Sequence, residues 1–215
     1  MNSDRGKFIT FEGGDGCGKT TQIGLAEDYL AAEGYDCLFT REPGGTAVGE
    51  KIRSILLDPE NAEMADICEM LLYAAARAQI AQEVIGPALA EGRLVICDRW
   101  TDSSLVYQGE ARGLGEAVRF VNEYAAGELY APDATILLHV PPEEALARAA
   151  AGGGKGDRIE ALGVEYQSRV QSAYLRLAAC EPERFHVIDA AGSPGEVHDR
   201  VKAALNDILA EKCGA

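Results

Sequence analysis

The sequence predicts an α/β fold with a five-stranded parallel sheet and helices on both faces. Short apolar runs alternate with longer helical patterns along the chain. Strands joined by helices make right-handed crossovers, which place the strands parallel. The first apolar run also leads directly into a glycine-rich loop and an amphipathic segment. A chain of 215 residues without a long linker or an internal repeat is expected to form a single domain over residues 1–215.

Each element is predicted from its local pattern. The strands are expected near residues 7–12, 36–40, 93–98, 134–140 and 184–189. Between and after them, helices are expected near residues 19–33, 48–57, 63–91, 114–126, 143–151, 160–180 and 195–211. The glycine-rich stretch near residues 149–158 fits either a linker or a mobile lid. Ligands on such sheets bind beyond the carboxyl ends of the strands, so the polar residues there are the candidates for a site.

Residues 13–20 read G-x-x-x-x-G-K-T and join the first strand to the first helix. Glycines let the backbone fold tightly around a phosphate with its N–H groups pointing inward, and the helix start adds a positive dipole end. This context predicts a loop that binds the phosphates of a nucleotide, and by itself it does not separate kinases, GTPases and motor ATPases. Lys19 is placed for the β- and γ-phosphates and Thr20 for Mg²⁺. The predicted nucleotide contacts are Gly13, Gly14, Asp15, Gly16, Cys17, Gly18, Lys19, Thr20 and Thr21.

Charge and cysteine usage limit the possible partners and the compartment. The net charge of −15 argues against nucleic acid as a partner, since that needs basic patches, but it does not argue against a nucleotide. The six cysteines are scattered and suggest neither a zinc site nor a disulfide framework, so a reduced, cytoplasmic protein is expected. No stretch resembles a signal peptide or a membrane span.

Further polar residues follow the second and third predicted strands. Asp98 ends the third strand and suits Mg²⁺ or its waters, and Arg99 follows it with a guanidinium for a phosphate. Arg41 offers the same group after the second strand, where Glu42 is expected to hold Arg41 or another arginine in place. Each of these also fits an ordinary strand terminus. No N-K-x-D segment is present, which argues against a GTPase switch.

One further pair lies on the long alanine-rich helix. Tyr73 and Arg77 are four residues apart and share a face, which suits a flat base: the ring stacks and the guanidinium donates to a carbonyl. A core aromatic beside a surface arginine would give the same spacing.

Together these motifs resemble those of thymidylate kinases, the P-loop enzymes that phosphorylate dTMP. The resemblance runs in order from about Lys7 to the last helix. It is carried by the acid within the phosphate loop and by the segments R-E-P-G-G-T (41–46), Y-A-A-x-R-A-Q (73–79), D-R (98–99), D-S-S-x-x-Y-Q-G (102–109) and D-R-I-E (157–160).

The resemblance implies a role for each matching residue. Asp15 would contact dTMP, Arg99 would hold its phosphate, and Tyr107 would exclude a ribose 2′-hydroxyl. The implied dTMP-binding residues are Asp15, Arg41, Glu42, Pro43, Arg53, Tyr73, Arg77, Arg99, Ser103, Ser104, Tyr107 and Gln108. The implied catalytic residues are Asp15, Lys19, Arg99, Lys155 and Arg158, and Thr20 and Asp98 would hold Mg²⁺. A homodimer is implied by the resemblance alone.

Three features depart from the family pattern. Tyr73 stands where Phe is usual, and Trp100 stands where Tyr, Phe or His is usual. Family members whose phosphate loop lacks an arginine, as this one does, usually place arginines in the lid, but here the lid near residues 149–158 is glycine-rich and poorly charged. That lid is still expected to bring positive charge to the transferred phosphoryl group. Arg148 on the donor-nucleotide side, Lys155 and Arg158 are the available cations, with Lys155 expected to act in catalysis.

The sequence therefore predicts transfer of the γ-phosphoryl group of ATP to dTMP. Two alternatives stay open at this point: a P-loop kinase for another nucleotide or nucleoside, and a nucleotide-binding switch module.

Overall fold

The computed structural model, which describes residues 5–151, 158–159 and 162–210, is built around one parallel sheet. The strand order is β2-β3-β1-β4-β5. The strands are β1 (Phe8–Glu12), β2 (Cys37–Arg41), β3 (Leu94–Asp98), β4 (Ala134–His139) and β5 (Phe185–Asp189). The predicted fold class, with five parallel strands at these places, is confirmed.

Helices cover both faces of this sheet. They are α1 (Lys19–Ala32), α2 (Ala47–Leu57), α3 (Asp66–Ile80), α4 (Gly86–Ala90), α5 (Thr101–Ser104), α6 (Glu116–Ala126), α7 (Pro142–Ala151), α8 (Gly163–Cys180) and α9 (Pro194–Ala210). Single 3₁₀ turns lie at Pro59–Asn61 and Gly127–Leu129. No helix within the described residues is both long and apolar enough to span a bilayer.

The core divides into layers because successive strand residues point to opposite faces. On one face, Ile9 and Ile96 pack with Leu30 of α1 and Leu205 of α9. On the other face, Phe8 and Val95 pack with Ile80, Ile85 and Trp100. A third cluster joins Leu137 of β4 to Val170 of α8 and to Val106. These apolar layers hold the strand ends rigidly, which fixes the loops that follow them.

Two π-helical segments mark where the helices differ from the predicted pattern. The predicted helix over 63–91 begins at Asp66 and widens at Ala81–Ile85 before continuing as α4. A helical run that the sequence reading missed covers α5 and continues as a π-helical segment at Leu105–Ala111. A π turn fits one extra residue into the helix and is common at functional sites. This one carries Tyr107 and Gln108.

Candidate active site

The site is a cleft of about 700 Å³ at the carboxyl ends of the strands. β1 lies between β3 and β4, and the register places Phe11 beside Asp98, which in turn lies beside Arg41. The loops after β1, β2 and β3 therefore start side by side. The cleft walls are completed by α3, the 101–111 helical run and α7.

The phosphate loop needs its glycines for geometric reasons. Gly13 has φ of 141°, and a Cβ there would lie 2.4 Å from the carbonyl oxygen of Leu138. Gly18, with φ of 92°, stands immediately before the first residue of α1. Only glycine adopts such angles freely, so the two residues allow the turn that joins β1 to the helix. Most of the predicted nucleotide contacts line the cleft: Asp15, Gly16, Cys17, Gly18, Lys19, Thr20 and Thr21. Gly13 and Gly14 are not among the lining residues, but both accept a hydrogen bond from Lys19.

Lys19 lies folded into this loop. Its Nζ donates hydrogen bonds to the carbonyl oxygens of Gly13, at 2.8 Å, and Gly14, at 3.0 Å. It also lies 3.6 Å from the buried Sγ of Cys17. The ammonium is thus held at the loop before any phosphate arrives, with little freedom left to lose.

Asp98 and Arg99 place a carboxylate and a guanidinium side by side at the end of β3. The Oδ1 atom of Asp98 is buried without a hydrogen-bond partner among the described residues. Arg99 has φ of 68°, a left-handed conformation that is unusual for a residue with a side chain. Its guanidinium contacts Asp15 at 2.6 Å and the Gly13 carbonyl at 3.1 Å, and it stacks 5.1 Å from the ring centroid of Tyr107. Arg99 therefore bridges the phosphate loop and the acceptor side of the cleft.

Glu12 and Tyr174 hold this segment in place, and the sequence reading missed both. Glu12 is fully buried at the end of β1. Its carboxylate accepts hydrogen bonds from the backbone N–H groups of Trp100 and Ser103, from the Ser103 hydroxyl and from the Tyr174 hydroxyl. Burial, assisted by the negative charge of Asp102, raises the pKa of Glu12 to about 7. An acid directly before the phosphate loop was the available signal.

Glu42 pairs with Arg77, not with Arg41. Arg77 is fully buried and lies 2.5 Å from Glu42 and 2.9 Å from the Ser104 hydroxyl, and Asn122 also accepts from it. Burial raises the pKa of Glu42 although Arg77 opposes the shift. These contacts hold Arg77 behind the cleft wall. Its Nε is buried and has no hydrogen-bond partner among the described residues. As it stands, this arrangement does not present Arg77 to a ligand as predicted.

Arg41 departs further from its predicted place. Its side chain is half exposed and donates to both oxygens of Glu50 at 2.9 Å, outside the cleft. A surface carboxylate at the start of α2 holds it there. Arg53 lines the cleft instead, next to Pro43, whose carbonyl oxygen accepts a hydrogen bond from it at 2.9 Å. Arg53 and Pro43 therefore line the cleft, and Arg41 does not.

One wall of the cleft carries two tyrosine rings, which suit a flat base. Tyr73 of α3 lines it together with Ser103, Ser104, Tyr107 and Gln108. The Tyr107 hydroxyl is buried without a partner among the described residues, and burial raises the pKa of this phenol. Trp100 points away from the cleft: it packs edge-on against Phe8 and donates to the Leu129 carbonyl oxygen at 2.8 Å. The change at position 100 therefore affects the core and not the wall beside Arg99.

Of the lid cations, Arg148 and Arg158 lie in different places. Arg148 lines the cleft on α7, near the phosphate loop, and pairs with Glu144 at 2.5 Å. Arg158 does not line it: its guanidinium is buried, 2.5 Å from Glu69 and 2.8 Å from the Leu56 carbonyl oxygen. This corrects the expected position of Arg158 over the phosphates, because the buried Glu69 carboxylate holds the guanidinium. Lys155 lies outside the described residues.

A single cleft that combines a phosphate loop with aromatic side chains, and an arginine that contacts both, defines a P-loop phosphotransferase with a nucleotide-sized acceptor. Comparison with known proteins gives the family. The sequence model of the family "Thymidylate kinase" matches residues 11–201. The chain therefore belongs to the thymidylate kinase family, as its motifs predicted.

Individual relatives agree. The thymidylate kinase of Caldanaerobacter subterraneus subsp. tengcongensis is 53% identical over 206 residues, which cover 95% of this chain and 97% of the relative. That of Desulfosudis oleivorans is 50% identical, covering 94% and 97% respectively. The crystal structure of thymidylate kinase from Ehrlichia chaffeensis matches with a TM-score of 0.76 at 30% identity, covering 94% of this chain and 99% of the other.

Proposed function

We propose that the chain transfers the γ-phosphoryl group of ATP to dTMP, giving dTDP and ADP. The observation that carries this proposal is the continuity of the cleft. The phosphate loop, Tyr73 and Gln108 line the same cleft, and Arg99 contacts the loop at Gly13 and Asp15 while it stacks on Tyr107. Transfer requires the two substrates to meet with positive charge around the moving group, which this arrangement of residues supplies.

Each part of the cleft then has a task. The phosphate loop and Lys19 hold the donor phosphates, and Lys19 balances the charge that develops on them during transfer. Arg99 holds the acceptor phosphate, and Asp15 holds Arg99 by a 2.6 Å ion pair. The ring of Tyr73 stacks on the base, and Tyr107 fills the space beside the sugar. Since chemistry of this kind depends mainly on positioning, the buried supports of Arg99 matter as much as its charge.

The residues present fit Mg²⁺. Asp98 offers a buried carboxylate oxygen without a partner among the described residues, and Thr20 offers an exposed hydroxyl in the same cleft. The described residues contain no cluster of three or more metal-ligating side chains. Mg²⁺ needs no such cluster, because it keeps several waters and binds one or two protein oxygens plus phosphates. When bound, it would neutralise charge on the phosphates of ATP.

We keep the proposal of one domain with a lid near residues 149–158. Arg148 supports it, since its Nη1 lies 4.0 Å from where a Cβ on Gly18 would be. Arg148 is therefore placed to face the donor phosphates. Lys155 remains the predicted catalytic cation of the lid. Closure over the cleft would keep water from accepting the phosphoryl group.

A homodimer is part of the proposal. The apolar side chains that support it are exposed on three adjacent helices, with α3 packed against both α2 and α6. They are Val48, Ile55, Ile67, Leu71, Phe120 and Tyr124, of which Tyr124 is 89% exposed. Exposed apolar side chains on neighbouring helices are typical of a protein interface. Phe120→Lys should give a monomer in sedimentation analysis, whereas Leu175→Lys, on the separate helix α8, should not.

The partner and compartment expectations stay as proposals. The net charge of −15 supports a protein that does not bind nucleic acid. The cysteines within the described residues are all free thiols, which supports a cytoplasmic enzyme.

A coupled ADP-release assay tests the activity. The protein is given ATP and Mg²⁺ with a panel of acceptors: dTMP, dUMP, dCMP, dGMP, dAMP and thymidine. The proposal predicts turnover that depends on the acceptor and is fastest with dTMP. A faster reaction with another acceptor would identify a different kinase, and slow hydrolysis without any acceptor effect would identify a switch module.

A further inference from the structure

Glu69 is a buried carboxylate behind the cleft wall that carries Tyr73 and Gln108, and the reaction described above does not use it. Glu69, on α3 one turn before Tyr73, has no exposed surface. Its Oε1 accepts a 2.8 Å hydrogen bond from the Nε2 of Gln108. Its Oε2 accepts from Arg112 at 2.8 Å and from Arg158 at 2.5 Å. Two arginines and one amide thus converge on a single carboxylate.

The charge of Glu69 decides which way the Gln108 amide points. Burial alone would raise the pKa of Glu69, but the hydrogen bonds from Gln108, Arg158 and Arg112 outweigh it and lower the pKa. The group is therefore ionised and can only accept hydrogen bonds. Only the NH₂ end of the Gln108 amide can face it. The charge of Glu69 therefore assigns which end of the Gln108 amide is the oxygen and which is the nitrogen.

The opposite end of the amide then faces the cleft. Gln108 lines the cleft beside Tyr73, and its Oε1 accepts no hydrogen bond from the described residues. An acceptor fixed at this point would meet the ring N–H of an imide base such as thymine. In the same placement, cytosine presents a ring nitrogen lone pair, which Oε1 would repel.

We infer that Glu69 is a positioning residue for base specificity: it locks the Gln108 amide so that the cleft accepts an imide base and rejects cytosine. This inference rests on the proposed function. It also gives Arg112 and Arg158 a task, since they keep the buried carboxylate charged. A site built on a fixed hydrogen bond discriminates strongly because the wrong base leaves buried polar groups unpaired.

The test compares kcat/KM for dTMP, dUMP and dCMP in Glu69→Gln and the wild type. A neutral amide at position 69 also donates hydrogen bonds, so Gln108 is free to flip. The dTMP/dCMP ratio should fall by about tenfold or more. The dTMP/dUMP ratio should not change, since both bases carry the same imide edge. The loss for dTMP should be mainly a higher KM, because the contact exists before transfer.

Two further variants separate positioning from general support. Arg112→Gln removes a cation from Glu69 but leaves the bond to Gln108, so it should keep the dTMP/dCMP ratio. Gln108→Leu should lower that ratio, and adding Glu69→Gln to it should lower the ratio no further. If Glu69→Gln changes the ratio equally in the Gln108→Leu background, Glu69 does not act through Gln108 and the inference is wrong.

Other outcomes are equally decisive. Should the wild type fail to phosphorylate dTMP, the proposed function fails; should it succeed while Glu69→Gln keeps the full ratio, only this inference fails. If Glu69→Gln does not fold, Glu69→Gln/Arg112→Gln restores the charge balance and is measured in its place. If neither folds, the dTMP-bound wild type decides by NMR: Gln108 side-chain amide protons that are protected from exchange support the inference, and unprotected ones overturn it.

Discussion

The buried carboxylate of Glu12 predicts an unusual dependence of stability on pH. Glu12 lies at the end of the central strand and is fully buried, and its pKa is raised to about 7 from the ordinary 4.5. Burial is the main cause, followed by Asp102. A raised pKa means that the folded protein binds this proton more tightly than the unfolded chain does. The contribution of Glu12 to stability is therefore complete below about pH 4.5 and is lost as the pH rises through about 7.

The magnitude follows from the size of the shift. The difference between 4.5 and about 7 is roughly 2.5 pKa units. At about 1.4 kcal/mol per unit, the wild type should lose roughly 3 kcal/mol of unfolding free energy from this group between pH 4.5 and pH 8.5. Glu12→Gln cannot titrate and lacks this loss. The amide of Gln at position 12 would face several hydrogen-bond donors, which lowers the stability of the variant. This loss does not depend on pH, so it cancels when the unfolding free energy of the variant at one pH is subtracted from its value at the other.

The measurement is the free energy of unfolding in urea at both pH values. The difference between wild type and Glu12→Gln should change by about 3 kcal/mol in favour of the variant on going to pH 8.5. Glu63→Gln serves as the control, because Glu63 is exposed and makes no ion pair among the described residues. If the difference is the same at both pH values, or moves toward the wild type, Glu12 is not held as argued.

Three further predictions concern the proposed reaction. Lys19→Ala should lower kcat at least about a hundredfold with an unchanged circular dichroism spectrum, and the surface control Lys51→Ala should keep its activity. Normal turnover in the folded Lys19→Ala variant would show that Lys19 takes no part in the transfer. Tyr107→Ala should lower the kcat/KM ratio of dTMP to its ribose analogue by about tenfold, and Tyr107→Phe, which keeps the ring, should not. Lys155→Ala should lower kcat more than it raises KM for ATP; if only Arg148→Ala does so, the charge comes from α7.

The strands could be predicted closely because each one is a short apolar run bounded by polar residues. Phe8 and Val95 face one layer and Ile9 and Ile96 the other, a buried pattern that marks a central parallel strand. The 101–111 helix could not be found in the same way. Its surroundings are the cleft, so its polar side chains are buried and no amphipathic pattern shows.

The sequence predicts the position of a residue well where local backbone geometry sets that position. It predicts the position less well where an ion pair with a residue distant in sequence sets it. Gly13 and Lys19 lie where the motif places them, because the loop geometry is local. Arg41 and Arg77 depend on which carboxylate lies nearby in the fold, and the sequence could not tell that Glu50 takes the first and Glu42 the second. Glu42 is expected from the sequence to hold Arg41 or another arginine, and the arginine that it holds is Arg77.

The lid shows why residue type alone cannot assign a role to a cation. Arg148 and Arg158 are chemically identical, but Arg158 faces a carboxylate with no access to water. Moving Arg158 to the phosphates would leave Glu69 with Arg112 as its remaining cation among the described residues, and a buried charge that loses a partner is costly. Arg148 pairs with a partly exposed Glu144 and gives up much less when it moves. Positive charge for the donor phosphates is therefore expected from Arg148 and Lys155, and Arg158 is expected to act on the acceptor side through its ion pair with Glu69.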